Sequence, residues 1–447
     1  MACYLLDRQP REMAVSRNAA PQGVTPLDAA LHGAGRHILP WCLLAFLFCF
    51  LDRINVGYAS LTMNADLGLG PAAFGFGSSI FYLGYIGFEL PSNAAFNRFG
   101  ARLWLGRIML TWGLVSAGMA FVQGETSFYV MRFLLGAAEA GFIPGIMLYL
   151  RGWFPDSRLG RATGLCFLAI PLASVIGGPL AVALFQLDGV MGLRGWQWMF
   201  LIEAAPSLLI GLVYILMLPD GPDDAAFLAA AERAALAEAM RREAAGRAGL
   251  GFWASISNPY VILLGVINMG VLAPNMTLTL WLPQILKAQG FTTTQTGFVA
   301  SIPYLAGMLG MLIWPRLSDR LGNRIGMAAG ALAIAASGVA AAAFVSDPWL
   351  KVACFTVAAF GTYGGNPTFW TLPARVFGGS GAGAGLAMVS CIGTLSSAFG
   401  PWTVGWIKQA TGSFDAGLYL IAAVTATGCL LTAALPAARR HLLARTP

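Results

Sequence analysis

Apolar runs long enough to cross a bilayer recur from residue 37 to residue 436, and they decide the fold class before any other feature. A hydrocarbon core about 30 Å thick is crossed by about 20 apolar residues in a helix. In lipid each backbone N–H and C=O must find its partner within the segment, which leaves the α-helix as the natural solution for such runs. Twelve spans are predicted, at 37–61, 76–96, 103–123, 128–150, 161–185, 196–218, 259–283, 297–317, 325–345, 349–374, 383–407 and 416–436. Only 11% of the 447 residues are charged, against about 25% in soluble domains. The expectation is an all-α polytopic membrane protein.

The net charge of +7 would point to nucleic acid in a soluble protein, but its distribution argues otherwise. Of 27 basic residues, only Arg194, Lys287, Lys351 and Lys408 lie in or at the edge of the segments that join an odd span to the next even one. Arg53 and Arg132 lie within spans, and the remaining 21 flank the opposite face. By the positive-inside rule this puts both termini in the cytoplasm, with the protein in the inner membrane. Residues 1–24 hold Arg8, Arg11 and Arg17 but no continuous apolar stretch, so no cleaved signal peptide is expected.

An internal repeat organises the chain. GFGSSIFYLGYIGFELPSNAAFNRFGAR (75–102) returns 222 positions later as GFVASIPYLAGMLGMLIWPRLSDRLGNR (297–324), with ten of 28 positions identical and no gap. Each copy closes on the same turn, Asn97-Arg98-Phe99-Gly100-Ala101-Arg102 and Asp319-Arg320-Leu321-Gly322-Asn323-Arg324. Two pseudo-symmetric six-helix bundles follow, at 37–218 and 259–436, the arrangement in which a substrate binds near midplane between parallel repeats. A cytoplasmic segment (1–36), a polar linker (219–257) and a short cytoplasmic tail (437–447) complete the division. The linker reads as a turn at Asp220-Gly221-Pro222 followed by an Ala-rich surface helix with Glu238–Arg242 and Glu243–Arg247 pairs.

Four ionisable residues stand inside the apolar runs: Asp52 and Arg53 in span 1, Arg132 and Glu139 in span 4. A charge at the centre of a bilayer costs about 2.5–3.5 kcal/mol on insertion scales. Such residues face a cavity and one another, and they mark a path for an ion or solute. Arg132 and Glu139, seven residues apart, share one helix face about 10 Å apart along the axis. Span 1 is expected to present an acid and a base to a base and an acid on span 4. A purely structural ion-pair network is the alternative.

The coupling logic is simple. An arginine beside a buried carboxylate favours its charged form. An anion that takes the arginine away leaves the carboxylate preferring a proton, so substrate and proton bind together. Arg53, with a planar fork suited to carboxylates, is the expected substrate contact. Glu139 and Asp52 are the expected proton carriers, with Arg132 tuning Glu139. Glu89 and Glu203 also fall within spans and are read as hydrogen-bonded structural groups. Six of the seven cysteines lie scattered in apolar spans without C-x-x-C spacing, so no metal site is expected. Neither a nucleophile–base pair nor a cofactor motif is present, and the chain is not expected to be an enzyme.

FLDRINVGYASLTMN (50–64), YLGYIGFELPSN (82–93), RFLLGAAEAGFIPG (132–145), GWQWMFLIEAAPS (195–207) and NPTFWTLPARVF (366–377) carry a resemblance. Through them the sequence is similar to the major facilitator superfamily, and within it to anion:cation symporters of the tartrate, phthalate and 4-hydroxyphenylacetate permease type. The resemblance implies alternating access driven by the proton gradient, with no cofactor. It implies proton coupling at Asp52 and Glu139 with Arg132, and substrate contacts at Arg53 and Tyr85. Asn366, Trp370, Ser390 and Thr394 would line the carboxy-terminal side, and the two Arg-Gly-Arg turns would act as gating loops. Two departures stand out. Ser390-Cys391-Ile392-Gly393-Thr394 replaces an Asn-rich pattern, which implies a less hydroxylated cargo than a sugar acid. Asn97 replaces the acid that Asp319 retains.

The expected function is import of an organic mono- or dicarboxylate by proton symport, by a monomer. An exchanger or uniporter on the same fold, or a transporter-like sensor, remains the alternative.

Overall fold

A computed structural model describes residues 25–245, 257–374 and 382–443, without the side chains of Asn97 and of residues 244, 245, 374, 382–384 and 438–443. Arg8, Arg11, Arg17, Arg247, Arg375 and Arg445 lie outside the described residues. Twelve long helical spans appear among the described residues, and no strand. They run over Leu39–Leu67, Pro71–Phe99, Ala101–Phe121, Glu125–Arg151, Asp156–Phe185 and Gly195–Met217, then Pro259–Ala288, Thr293–Leu321, Arg324–Phe344, Pro348–Ala374, Ala382–Thr411 and Asp415–Leu443. These are spans 1 to 12 below. The chain is an all-α polytopic membrane protein with twelve transmembrane helices.

Nine of the twelve are long and apolar enough to qualify by length and composition alone. Spans 2, 10 and 11 fall short because glycine, serine, threonine and tyrosine dilute their apolar residues. Those three helices carry Tyr85, Asn366, Trp370, Ser390 and Thr394, every expected substrate contact except Arg53. Elsewhere, large apolar side chains such as Leu114, Leu209, Leu216, Leu309 and Leu430 are exposed. In water they would be a liability; against lipid tails they are matched.

Helix starts follow local chemistry. Span 8 opens on a capping box, in which the Thr292 hydroxyl accepts from Gln295 N and the Gln295 side chain accepts from Thr292 N. Spans 2 and 7 begin on prolines, Pro71 and Pro259, where a missing N–H costs nothing. Several spans predicted as continuous are broken. Span 4 stops at Glu139 and restarts at Phe142 through Gly141 at φ +83°, a conformation that glycine alone adopts easily. Span 5 bends at Leu168, and span 7 carries a π-helical turn at Thr277–Trp281. Non-ideal backbone at membrane depth persists where protein or a cavity satisfies it.

The repeat is legible in the packing. Span 2 runs against span 11, and span 8 against span 5. At equivalent positions the two copies use the same residue types. A Cβ on Gly75 would strike the Pro401 carbonyl, and one on Gly297 would strike the Gly178 carbonyl. Ser79 Oγ accepts from Trp402 N at 3.0 Å, and Ser301 Oγ donates to Val175 O at 2.9 Å. All these contacts lie in the half of the molecule remote from the termini. That far end is closed by two glycine-lined seams, the close approach that small residues permit.

Both repeat turns use glycine at positive φ, Gly100 at +81° and Gly322 at +67°. In the second turn Arg324 Nη2 meets Asp319 Oδ1 at 3.1 Å. In the first, Arg102 N donates to Asp220 Oδ1 of the linker at 2.8 Å. Arg98 lies over the Phe99 ring, and Arg320 is exposed. The linker helix spans Ala230–Ala245, with Arg242 Nε 2.7 Å from Glu238 Oε1. That guanidinium holds the Glu238 carboxyl below its ordinary value. Glu243 accepts from Asp156 N at the start of span 5.

Gly178→Val is expected to wedge the span 5–span 8 seam and lower the melting temperature of the purified protein by about 3–5 °C. An unchanged melting temperature would contradict the seam.

Candidate functional site

Asp52 and Arg53 are consecutive, so about 100° of helix rotation separates them. They cannot both face span 4, and the structure sends them different ways. Arg53 turns to span 4, where its Nε donates to Glu139 Oε2 at 2.8 Å. Asp52 turns to span 3, where its Oδ1 accepts a short hydrogen bond from Ser116 Oγ. The Asn55 amide, one turn along span 1, donates to the same oxygen at 3.4 Å. The expectation of two acid–base pairs between spans 1 and 4 is therefore corrected to one.

The Arg53–Glu139 pair is nearly dry. Glu139 is fully buried, whereas 13% of the Arg53 side chain remains exposed. Cys49 Sγ, one turn below Arg53, reaches Glu139 Oε2 at 3.9 Å. Three rings of aromatic residues hold the guanidinium: Arg53 Cζ lies 5.1 Å from the centre of Tyr85, 5.5 Å from Phe50 and 5.6 Å from Phe81. Cation–π contact of this kind strengthens when water is excluded. Arg132 approaches the Phe81 ring too, with Cζ at 4.6 Å. No carboxylate lies within ion-pair distance of Arg132 among the described residues.

The site is under-satisfied. Arg53 Nη2, Arg132 Nε, Asp52 Oδ2 and Glu139 Oε1 are all buried without a hydrogen-bond partner. Buried polar atoms are almost always paired, so these four neighbouring charged residues leave hydrogen-bonding capacity unused within one cluster. Glu139 is also the last residue before the break in span 4. Ser92, which receives the Trp104 indole N–H at 3.0 Å, packs into the glycine of that break.

The carboxy-terminal candidates form a second group. Asn366 and Trp370, one turn apart on span 10, are half-buried. Ser390 and Thr394 are half-buried on span 11, where Thr394 Oγ1 donates to Ser390 O at 2.8 Å. No hydrogen bond or ion pair joins any of them to Arg53 among the described residues. The link between the groups is Glu89, one turn from Tyr85 on span 2, whose Oε2 meets Cys391 Sγ of span 11 at 3.8 Å. Tyr82 OH adds a second bridge to Met276 Sδ of span 7 at 3.0 Å.

Sequence reasoning missed Ser116, Asn55 and Phe81. A serine or asparagine inside an apolar span carries little signal on its own. Phe81 is marked only by lying four residues before Tyr85 on the same helix face. Glu203, read as a hydrogen-bonded structural group, is 5% exposed and leaves Oε2 without a partner.

The profile of the Major Facilitator Superfamily matches residues 41–401 and 275–446. A protein of Agrobacterium vitis named "Putative tartrate transporter" is 44% identical over 397 residues, covering 88% of each chain. The "Quinolone resistance transporter" of Acinetobacter baumannii is 38% identical over 399 residues, covering 88% of this chain and 92% of that one. Among solved structures, the Escherichia coli xylose transporter XylE in a partially occluded inward-open conformation superposes with a TM-score of 0.72. The alignment covers 90% of this chain and 97% of that one at 14% identity, a likeness of fold.

Removing one partner of a buried pair strands the other charge, at a cost of about 3–5 kcal/mol. Arg53→Met is therefore expected to lower the melting temperature more than the double variant Arg53→Met/Glu139→Gln. Equal losses in the two variants would contradict the pairing.

Proposed function

The chain belongs to the Major Facilitator Superfamily, whose members are membrane transporters and not enzymes, and on that premise we propose that it imports an organic carboxylate together with protons. The observation that carries this reading is Arg53, held by Glu139 through one nitrogen and left with a buried, unpartnered second one. A carboxylate of the substrate offers the bidentate acceptor that this fork lacks.

The cycle follows from competition for Arg53. With no substrate, the guanidinium neutralises Glu139. An arriving carboxylate draws the guanidinium toward itself, and Glu139 then sits in a dry site without its counter-charge. A buried carboxyl in that position takes a proton. Substrate and proton therefore load together, and the doubly loaded state carries no stranded charge across the midplane. Asp52, on the other side of the same helix turn, supplies a second proton-binding carboxyl, and Arg132 holds the local potential positive. Tyr85, whose ring centre lies 5.1 Å from Arg53 Cζ, is the neighbouring substrate contact on this reading. Asn366, Trp370, Ser390 and Thr394 close the site from the second bundle when the halves rock together.

The charge asymmetry of the loops supports an inner-membrane location with both termini cytoplasmic. The tartrate transporter name of a relative supports a carboxylate cargo, while the quinolone transporter name shows that relatives of similar identity serve other cargoes. Exchange without protons would need Arg53 but no acid able to change charge, so the Glu139 partnership favours symport.

Glu139→Gln is expected to abolish accumulation driven by an imposed pH gradient in proteoliposomes while sparing substrate counterflow. Wild-type accumulation by that variant would overturn the coupling. In a thermal-shift series of mono- and dicarboxylates that includes tartrate, the acids that bind are expected to raise the melting temperature and their amides to leave it unmoved. Equal stabilisation by acids and amides would remove Arg53 as the recognition element.

A further inference from the structure

At the end of the molecule remote from the termini lies a cavity that the cycle above does not use. Its volume is about 350 Å³. Both halves build its walls: Phe76 early in span 2, Glu125 and Tyr129 at the start of span 4, and Trp402 and Gln409 late in span 11. Three aromatic rings meet there. Phe76 lies 4.9 Å from Tyr129 with the ring planes at 81°, and 5.7 Å from Trp402 at 65°. Rings set at such angles form the sides of a box, whereas parallel rings would stack and fill it. Aromatic residues at helix ends ordinarily anchor a span in the headgroup layer, each on its own. These three converge on one space.

Glu125 is the one charged residue among those that line the cavity. Its Oε1 accepts a hydrogen bond from the Tyr129 hydroxyl, which sets the carboxylate beside the rings. No lysine or arginine pairs with it among the described residues. Lys408, next to Gln409 on span 11, is engaged elsewhere: its Nζ lies 4.8 Å over the Phe414 ring and donates to Gly412 O. A carboxylate and three ring faces all present negative potential to a guest. An anion would meet the Glu125 charge with no base to offset it. An uncharged apolar guest would leave that charge unused.

We infer that this cavity binds a small organic ammonium cation, held by the Glu125 carboxylate and the faces of Phe76, Tyr129 and Trp402, and that the site is complete only while this end of the molecule is closed. Its two sides are tied across the halves, where Ala72 N donates to Gln409 Oε1 at 3.2 Å and Trp402 N donates to Ser79 Oγ at 3.0 Å. When the halves part here, Trp402 and Gln409 leave with span 11. A ligand shifts an equilibrium by its differential affinity for the two states, so a bound ammonium favours the closed-end conformation. The inference rests on the transport reading only for its consequence, which is slower turnover without competition for Arg53.

The test needs no transport. The purified full chain, in bilayer discs of phosphatidylglycerol, is titrated calorimetrically at constant ionic strength with choline and with neohexanol, its isostere with carbon in place of nitrogen. Choline is expected to bind and neohexanol not. Glu125→Gln, isosteric and exposed, and Trp402→Leu are each expected to weaken choline about fivefold, with both variants folded by thermal melting. No choline binding, or equal binding of the two guests, would overturn the site. Wild-type affinity in Glu125→Gln would do the same, and wild-type affinity in Trp402→Leu would overturn its assembly from both halves. Adding phosphatidylethanolamine to the discs identifies the source: weaker choline binding marks a lipid ammonium as the occupant, unchanged binding a soluble amine, and either upholds the ammonium site. Failure of the carboxylate reading leaves all of these outcomes as they stand.

Discussion

An arginine and a glutamate held 2.8 Å apart inside a helix bundle form the interaction on which the rest of this molecule is arranged. Neither charge could be left alone at that depth. Together they are tolerable but not optimal, since apolar side chains of the same volume would pack as well or better. Apart from the weak Cys49 thiol contact with Glu139, no other side chain hydrogen-bonds the pair among the described residues. Guanidinium faces meet aromatic rings, which attract a cation without fixing it by hydrogen bonds, and four polar atoms stay without partners. A pair built for stability alone would have been satisfied on every side.

The backbone around the pair has the same character. Span 4 breaks in the residue after Glu139, so the acid sits at the end of one rigid rod and beside the start of another. Spans 5 and 7 also bend, and the seams between halves rest on glycine contacts at the far end. Glycine-on-carbonyl seams bring the helix backbones of the two halves into close approach. Beside them, Phe74 packs on Trp281 and Phe76 on Trp402, so aromatic contacts reinforce the seal. On the proposed cycle, a rocking motion about the Arg53–Glu139 level would change which end is sealed, while the charged cluster stays on the amino-terminal half.

Much of this was readable from the residues. The twelve spans, the duplicated segment and the four intramembrane charges are all properties of sequence spacing. The repeat even marked the seam residues, because Gly75/Gly297 and Ser79/Ser301 are matched pairs. What spacing could not decide was rotation. Asp52 and Arg53 are neighbours in sequence and point to different helices, so the choice of Glu139 as partner for Arg53 depended on how span 1 turns in the bundle. Ser116 and Asn55 gave no warning, as isolated polar residues in apolar helices are common. The breaks in spans 4 and 7 depend on tertiary packing that supplies partners for freed backbone groups. Span lengths also ran past the apolar runs, since helices such as Leu39–Leu67 continue beyond the hydrocarbon core.

On the proposed cycle, substrate and proton are linked because both compete for the same guanidinium–carboxylate contact. Thermodynamic linkage makes that statement measurable without a membrane gradient. Calorimetric titration of the purified protein with a carboxylate that binds it, repeated in buffers of different ionisation enthalpy, counts the protons taken up per substrate bound. Near neutral pH the account predicts uptake of about one proton with each carboxylate, lost in Glu139→Gln. Binding at undiminished affinity with no proton uptake would contradict it.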